Sequence, residues 1–146
     1  MADNAQKTYP LLGFRFSVTV GGMDNIGFSE ASGLTQECQV IEYRDTLMNK
    51  NSALMKIPGL RKWNNITLKR GIINDSKKGT QFLEWLEKLD RRDIIISLVD
   101  ETGNALISWA VQQAFPVKVE GPQLKASGNE IAVESIEIAH EGFKSV

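Results

Sequence analysis

Residues 105–142, ALISWAVQQAFPVKVEGPQLKASGNEIAVESIEIAHEG, narrow the possible folds more than any other stretch. Two apolar-rich runs, 105–114 and 131–140, flank a connector punctuated by Pro116, Gly121, Pro122 and Gly128. In the first run Ile107, Trp109 and Val111 alternate with Ser108, Ala110 and Gln112, the two-residue period of a strand with one buried face. In the second, Ile131 and Val133 are followed by Ile136 and Ile138, so the phase flips between Glu134 and Ser135. A strand that reverses its face midway either carries a bulge or passes from one packing environment into another. The core of one subunit does not easily supply two environments. A strand that serves its own sheet and then a neighbour's does.

The rest of the chain supplies more strands and one helix. A polar lead over 1–13 reads as an arm, and Phe14, Phe16, Val18 and Val20 then alternate strictly with Arg15, Ser17 and Thr19. Strands are also expected over 26–31, 35–44, 63–72 and 93–99, the last with Ile94, Ile95 and Ile96 consecutive and so covered on both faces. Phe82, Leu83, Trp85, Leu86 and Leu89 recur at helical spacing, predicting a helix over 80–89 with core-facing aromatics, introduced by the turn chemistry of Asn74-Asp75-Ser76. Residues 101–104 turn the 93–99 strand into the 105–114 strand as an antiparallel hairpin. The class is mainly β: a small β-barrel or sandwich of six to seven strands with one flanking α-helix, one domain over 1–146.

The segment 45–58, DTLMNKNSALMKIP, has no sustained period yet holds Leu47, Met48, Leu54 and Met55. A loop this long inside a small domain is usually functional or disordered, and large apolar side chains argue against disorder. It reads as a loop that docks on a partner; the competing reading folds it back on its own core.

Chemistry is harder to find. No phosphate-binding glycine loop, nucleophile elbow or C-x-x-C is present, and one His with one Cys cannot build a metal cage within a chain. No catalytic, cofactor-binding or metal-ligating residue is assigned. A Cys38–His140 pair is formally possible as a nucleophile and base; for His140 the plainer expectation is a hydrogen bond or an interface position at a strand end. The lone cysteine favours folding in a reducing compartment, and the start of the chain lacks the apolar core of a secretory signal. No apolar run is long enough for a membrane helix, so no insertion is expected.

Charge is segregated although the formal net charge is only −1. Residues 56–78 carry Lys56, Arg61, Lys62, Lys69, Arg70, Lys77 and Lys78 against Asp75, and residues 120–141 carry Glu120, Glu130, Glu134, Glu137 and Glu141 against Lys125. Arg61, Lys62, Lys69 and Arg70 of one copy could meet Glu130, Glu134, Glu137 and Glu141 of the next, a heterologous contact that closes rings or propagates filaments. Equally, both segments could neutralise each other within one subunit. A nucleic-acid-binding β domain using 56–78 is the rival from another class, but the segment lacks the aromatic interleaving of a single-strand binder.

Several strings then occur together in order: Tyr9-Pro10, Phe14-Arg15-Phe16, Ser32-Gly33-Leu34, Ile41-Glu42-Tyr43-Arg44-Asp45, Pro58-Gly59 and Asn65-Ile66-Thr67-Leu68. DIIISL at 93–98, Trp109, Ala114-Phe115-Pro116 and SGNEIAV at 127–133 continue the series. With these the chain resembles inner-tube subunits of contractile injection machines: antifeeding-prophage-type extracellular particles, contractile phage tail tubes and, more distantly, the hemolysin-coregulated protein of type VI secretion.

The resemblance implies a structural, non-enzymatic protein forming hexameric rings that stack into a hollow tube inside a contractile sheath. Partners would be further copies, sheath protein, baseplate or tube-initiator proteins, and a cargo of protein effector or DNA. The implied setting is cytoplasmic assembly into a phage tail-like particle, released or anchored at a membrane. A tube-initiator subunit at the baseplate is the alternative within the class. In such proteins the segment matching 45–58 reaches toward adjacent subunits, which assigns self-assembly to Asp45, Leu47, Met48, Leu54, Met55 and Lys56. Thr46 follows Asp45 where the family often has glycine, so the shape of that loop is this chain's own.

Overall fold

The computed structural model describes residues 15–23, 27–44, 55–72, 80–128 and 131–146. In chain order these form β1 (Phe16–Val20), β2 (Glu30–Ser32), β3 (Gln36–Tyr43), β4 (Met55–Trp63), β5 (Ile66–Gly71), α1 (Gln81–Lys88), β6 (Arg92–Val99), β7 (Ala105–Glu120), β8 (Val133–Ala139) and β9 (Phe143–Ser145). Seven strands make one sheet in the order β1-β6-β7-β8-β5-β2, with β9 also on β7, and β3 and β4 form a separate two-stranded sheet. All pairings are antiparallel.

Alternation places the core. Val18 and Val20 of β1 lie opposite Ile96 and Ile94 of β6, and Ile66 and Leu68 of β5 lie opposite Ile138 and Ile136 of β8. All eight are buried, together with Val111 and with Phe82 and Trp85 from α1. Each such aliphatic side chain contributes about 1.5–3 kcal/mol on leaving water. The helix ends at Leu89 in the left-handed region (φ 54°), with the Leu89 N–H donating to the Trp85 carbonyl over 2.8 Å.

The mainly β class stands as expected, but with nine strands among the described residues in place of six or seven. The large sheet ends on β1 and β2, so it wraps the core without closing its own hydrogen-bond ladder. The expected 105–114 strand continues to Glu120, through Pro116. A proline is tolerated there because the register with β8 shifts between Pro116 and Lys118, where a missing N–H breaks no ladder.

The phase flip at Glu134–Ser135 is not a bulge, since β5 and β8 pair without a shift from Ile66↔Ile138 to Gly71↔Val133. It marks a change of environment: Ile136 and Ile138 are buried, while Ile131 is 80% and Val133 38% exposed. Nor is β6 covered on both faces, because Ile95 is exposed between buried Ile94 and Ile96. The expected 63–72 strand divides at Asn64-Asn65 into the end of β4 and all of β5. The expected loop over 45–58 is corrected at its end, where Met55–Trp63 is strand. Residues 45–54, the arm at 1–13, the 73–79 turn and Glu130 lie outside the described residues. Among the described residues no helix is long and apolar enough to cross a membrane.

Candidate assembly interface

The β3–β4 hairpin forms because β-branched and aromatic residues meet across it: Ile41 lies opposite Ile57 and Tyr43 opposite Met55, while Glu42 faces Lys56 and Glu37 faces Lys62. Between Cys38 and Val40 the register shifts. Gly59 permits this, since a Cβ there would stand 3.0 Å from the Gln39 carbonyl oxygen and 3.2 Å from Ile41 Cγ1. Residues directly opposite share a face, so Ile41, Tyr43, Met55 and Ile57 form one apolar surface.

None of that surface is covered. Ile41 is 52%, Tyr43 46%, Met55 38% and Ile57 41% exposed, and Leu60 at the bulge is 78% exposed. Among the described elements β3 and β4 pack extensively only on each other. A lone two-stranded ribbon is at best marginally stable in water, so this one needs a partner for its apolar side.

The sheet presents a second kind of surface. Across β2, β5, β8 and β7, Glu30 lies opposite Lys69, which faces Ser135, which faces Glu120; the adjacent row runs Ser32, Thr67, Glu137, Lys118. Every side chain in both rows is polar. Lys69 Nζ lies 3.6 Å from Glu30, and Lys118 pairs with Glu120. The hydrogen bond from Lys118 pulls the Glu120 carboxyl below its usual range and raises the ammonium in return.

The segregated charges are largely engaged within one chain. Arg70 is buried, paired with Glu134 and stacked over the Phe82 ring at 4.0 Å. Arg91 bridges Glu141 at 3.1 Å, and the Asn65 amide donates to Glu137 over 3.4 Å. Arg61 and Lys62 stand on the hairpin, as does Lys56. The basic residues between 56 and 72 are therefore split between the hairpin (Lys56, Arg61, Lys62), an exposed pair of Lys69 with Glu30 and the buried pair of Arg70 with Glu134, and form no continuous phosphate-binding track.

Cys38 and His140 are engaged separately. The thiol lies against the Gln39 and Gly59 carbonyls, and both His140 nitrogens are in hydrogen bonds, with the Asn64 carbonyl oxygen and the Gly142 N–H. The apolar hairpin face escaped the sequence reading, although Ile41-x-Tyr43 and Met55-x-Ile57 carry its period.

Among curated proteins none matches the chain. Solved structures do. The sheath-tube complex of an extracellular contractile injection system, in its extended state, contains a chain 30% identical, with a TM-score of 0.87 over 100% of this chain and 97% of that one. A chain in the anti-feeding prophage tube-terminating cap is 34% identical, with a TM-score of 0.84 over 95% of this chain and 92% of that one. Hcp1 from Flavobacterium johnsoniae shares the fold at 15% identity and a TM-score of 0.55, covering 90% of this chain and 94% of that one. Residues 12–144 match the model of the T4-like virus tail tube protein gp19, and the chain belongs to that family of tube proteins.

Proposed function

We propose that this chain is the main inner-tube subunit of a contractile injection particle, joined into hexameric rings that stack around a channel. The observation that carries this is the β3–β4 hairpin, whose apolar face is complete as a strand pair and uncovered as a surface. A further copy is the natural cover. Self-association also resolves the open borders of the large sheet at β1 and β2, since pairing edges between copies removes the unpaired backbone groups that invite aggregation. Residues 45–54 join the two hairpin strands, so Asp45, Leu47, Met48 and Leu54 would extend the same contact.

The channel wall has to stay wet while the other faces are covered. The polar rows on β2, β5, β8 and β7 suit that role, having no large apolar side chain and lysines already neutralised. Arg15, Ser17 and Thr19 suit it less well, because Thr19 lies opposite the exposed Ile95. Sheath protein outside, baseplate protein at one end and a protein or nucleic-acid cargo within complete the reading. The initiator role is weaker: the anti-feeding prophage baseplate chain is only 21% identical and shares the fold alone.

Electron microscopy and sedimentation of the purified chain, alone and with its sheath and baseplate partners, test the proposal. Rings or tubes are expected, and Ile41→Asp with Ile57→Asp should abolish them while leaving a folded monomer. A chain that stays monomeric at high concentration in every combination would overturn it.

A further inference from the structure

We infer that His140, Gly142 and Phe143 form a clamp on Trp63 that sets the angle at which the hairpin leaves the large sheet, a positioning device for the assembly arm. The inference rests on the tube reading for its consequence but not for its geometry. The hairpin is held at its base: the Asn64 N–H donates to Thr35 over 3.3 Å, and the Thr35 N–H donates to Gly33 over 2.7 Å. Trp63, the last residue of β4, lies edge-on to Phe143 at 4.9 Å between ring centres and to His140 at 6.2 Å.

The β8–β9 turn that carries the clamp is itself pinned to β7. The Gln112 N–H donates to the Gly142 carbonyl over 2.9 Å and the Glu141 N–H to the Gln112 carbonyl over 3.0 Å. The Gly142 N–H donates to His140 Nδ1 over 3.1 Å, which requires a lone pair there and puts the ring proton on Nε2. Nε2 then donates to the Asn64 carbonyl over 2.8 Å, tying the hairpin base to the pinned turn.

Two features make this a device for orientation. Gly142 is buried at φ 134°, and a Cβ there would stand 3.1 Å from two atoms of the Trp63 indole, so only glycine lets the ring seat fully. Beside it a cavity of about 250 Å³, with Arg61 and Trp63 on the hairpin side and Glu141, Phe143 and Lys144 on the body side, leaves room for the hairpin to swing. With the clamp broken, only a fraction of hairpins would point correctly at any moment. Assembly would weaken by the inverse of that fraction.

Cys38, exposed on β3 and the sole cysteine, provides the probe. A nitroxide on Cys38 is to be compared in dilute, unassembled protein for the parent chain and for His140→Ala, Gly142→Ala and His140→Gln. Critical concentration for tube growth and amide exchange of β5 are to be measured in parallel. Expected are greater label mobility and a critical concentration raised about tenfold or more in the first two variants, with β5 protection unchanged. His140→Gln keeps a donor for Asn64 and should lie near the parent. Unchanged mobility and unchanged critical concentration in both His140→Ala and Gly142→Ala would overturn the inference. Loss of β5 protection would also overturn it, by showing the cluster to be part of the folding core. If label mobility responds as expected but the parent never forms tubes, the tube reading fails and the clamp stands.

Discussion

Gln113 shows how a single residue can carry a cost that its type does not announce. It sits at φ 53°, its N–H donating to Asp93 Oδ1 over 3.1 Å, where β7 shifts register against β6. A left-handed non-glycine residue costs on the order of 1–3 kcal/mol, more if β-branched. Gln113→Val should therefore be at least about 1 kcal/mol less stable than Gln113→Gly in urea titration, the reverse of ordinary strand preference. Arg70 is a second case. Removing one partner by Glu134→Ala should cost about 3–5 kcal/mol, whereas Arg70→Met with Glu134→Leu should come close to the parent, because two desolvated charges leave together.

Asp100 gives a pH signature at the same scale. Its carboxylate accepts from the Thr102 hydroxyl at 2.7 Å and from the backbone N–H groups of Thr102 and Asn104, each at 2.9 Å. The Thr102 hydroxyl first, then the Asn104 amide, hold its pKa below the ordinary carboxylate value. A depressed folded pKa means stability that is present above the unfolded value of about 3.9 and is lost as pH falls through the folded one. Asp100→Asn should flatten the acid limb of a thermal-melting profile and leave neutral pH as its region of greatest loss. An unchanged acid limb would contradict the assignment.

Elements whose periodicity is local could be read directly from sequence. Phe16, Val18 and Val20 alternate with Ser17 and Thr19, and β1 follows; Phe82 and Trp85 recur at helical spacing, and α1 follows; the consecutive Ile94-Ile95-Ile96 marked β6 as a strand but hid which of its faces is buried. The hairpin was harder because a ribbon with both faces exposed has no buried side to impose a clean alternation, and Val40 beside Ile41 blurred it further. β9 has three residues, too few for any period. Most of the polar rows could not be read at all, since Lys69 meets Glu30 and Glu137 meets Lys118 only through strand order. At this scale the hairpin makes a sharp forecast. Ile57→Lys replaces an exposed side chain, so monomer stability should move by no more than about 0.5 kcal/mol. Tube formation should nevertheless be lost.

For the whole molecule, the disposition of charge and apolar surface decides how assembly should respond to solvent. A head-to-tail contact held by a basic segment on an acidic one would weaken steeply as the Debye length falls from about 10 Å at 0.1 M salt to about 3 Å at 1 M. Here Arg70, Lys69, Glu134 and Glu141 already have partners in their own chain, and on the hairpin Glu42 faces Lys56 and Glu37 faces Lys62, with Arg61 opposite Cys38. The hairpin still leaves Ile41, Tyr43, Met55, Ile57 and Leu60 uncovered, and salt does not screen the burial of such side chains. Tube yield should therefore change by less than about threefold across that range of salt. Because copies bind the folded chain alone, the melting temperature should also rise with protein concentration. A yield that collapses at high salt would move the contact from the hairpin's apolar face to the charged segments, and with it the account of how this fold becomes a tube.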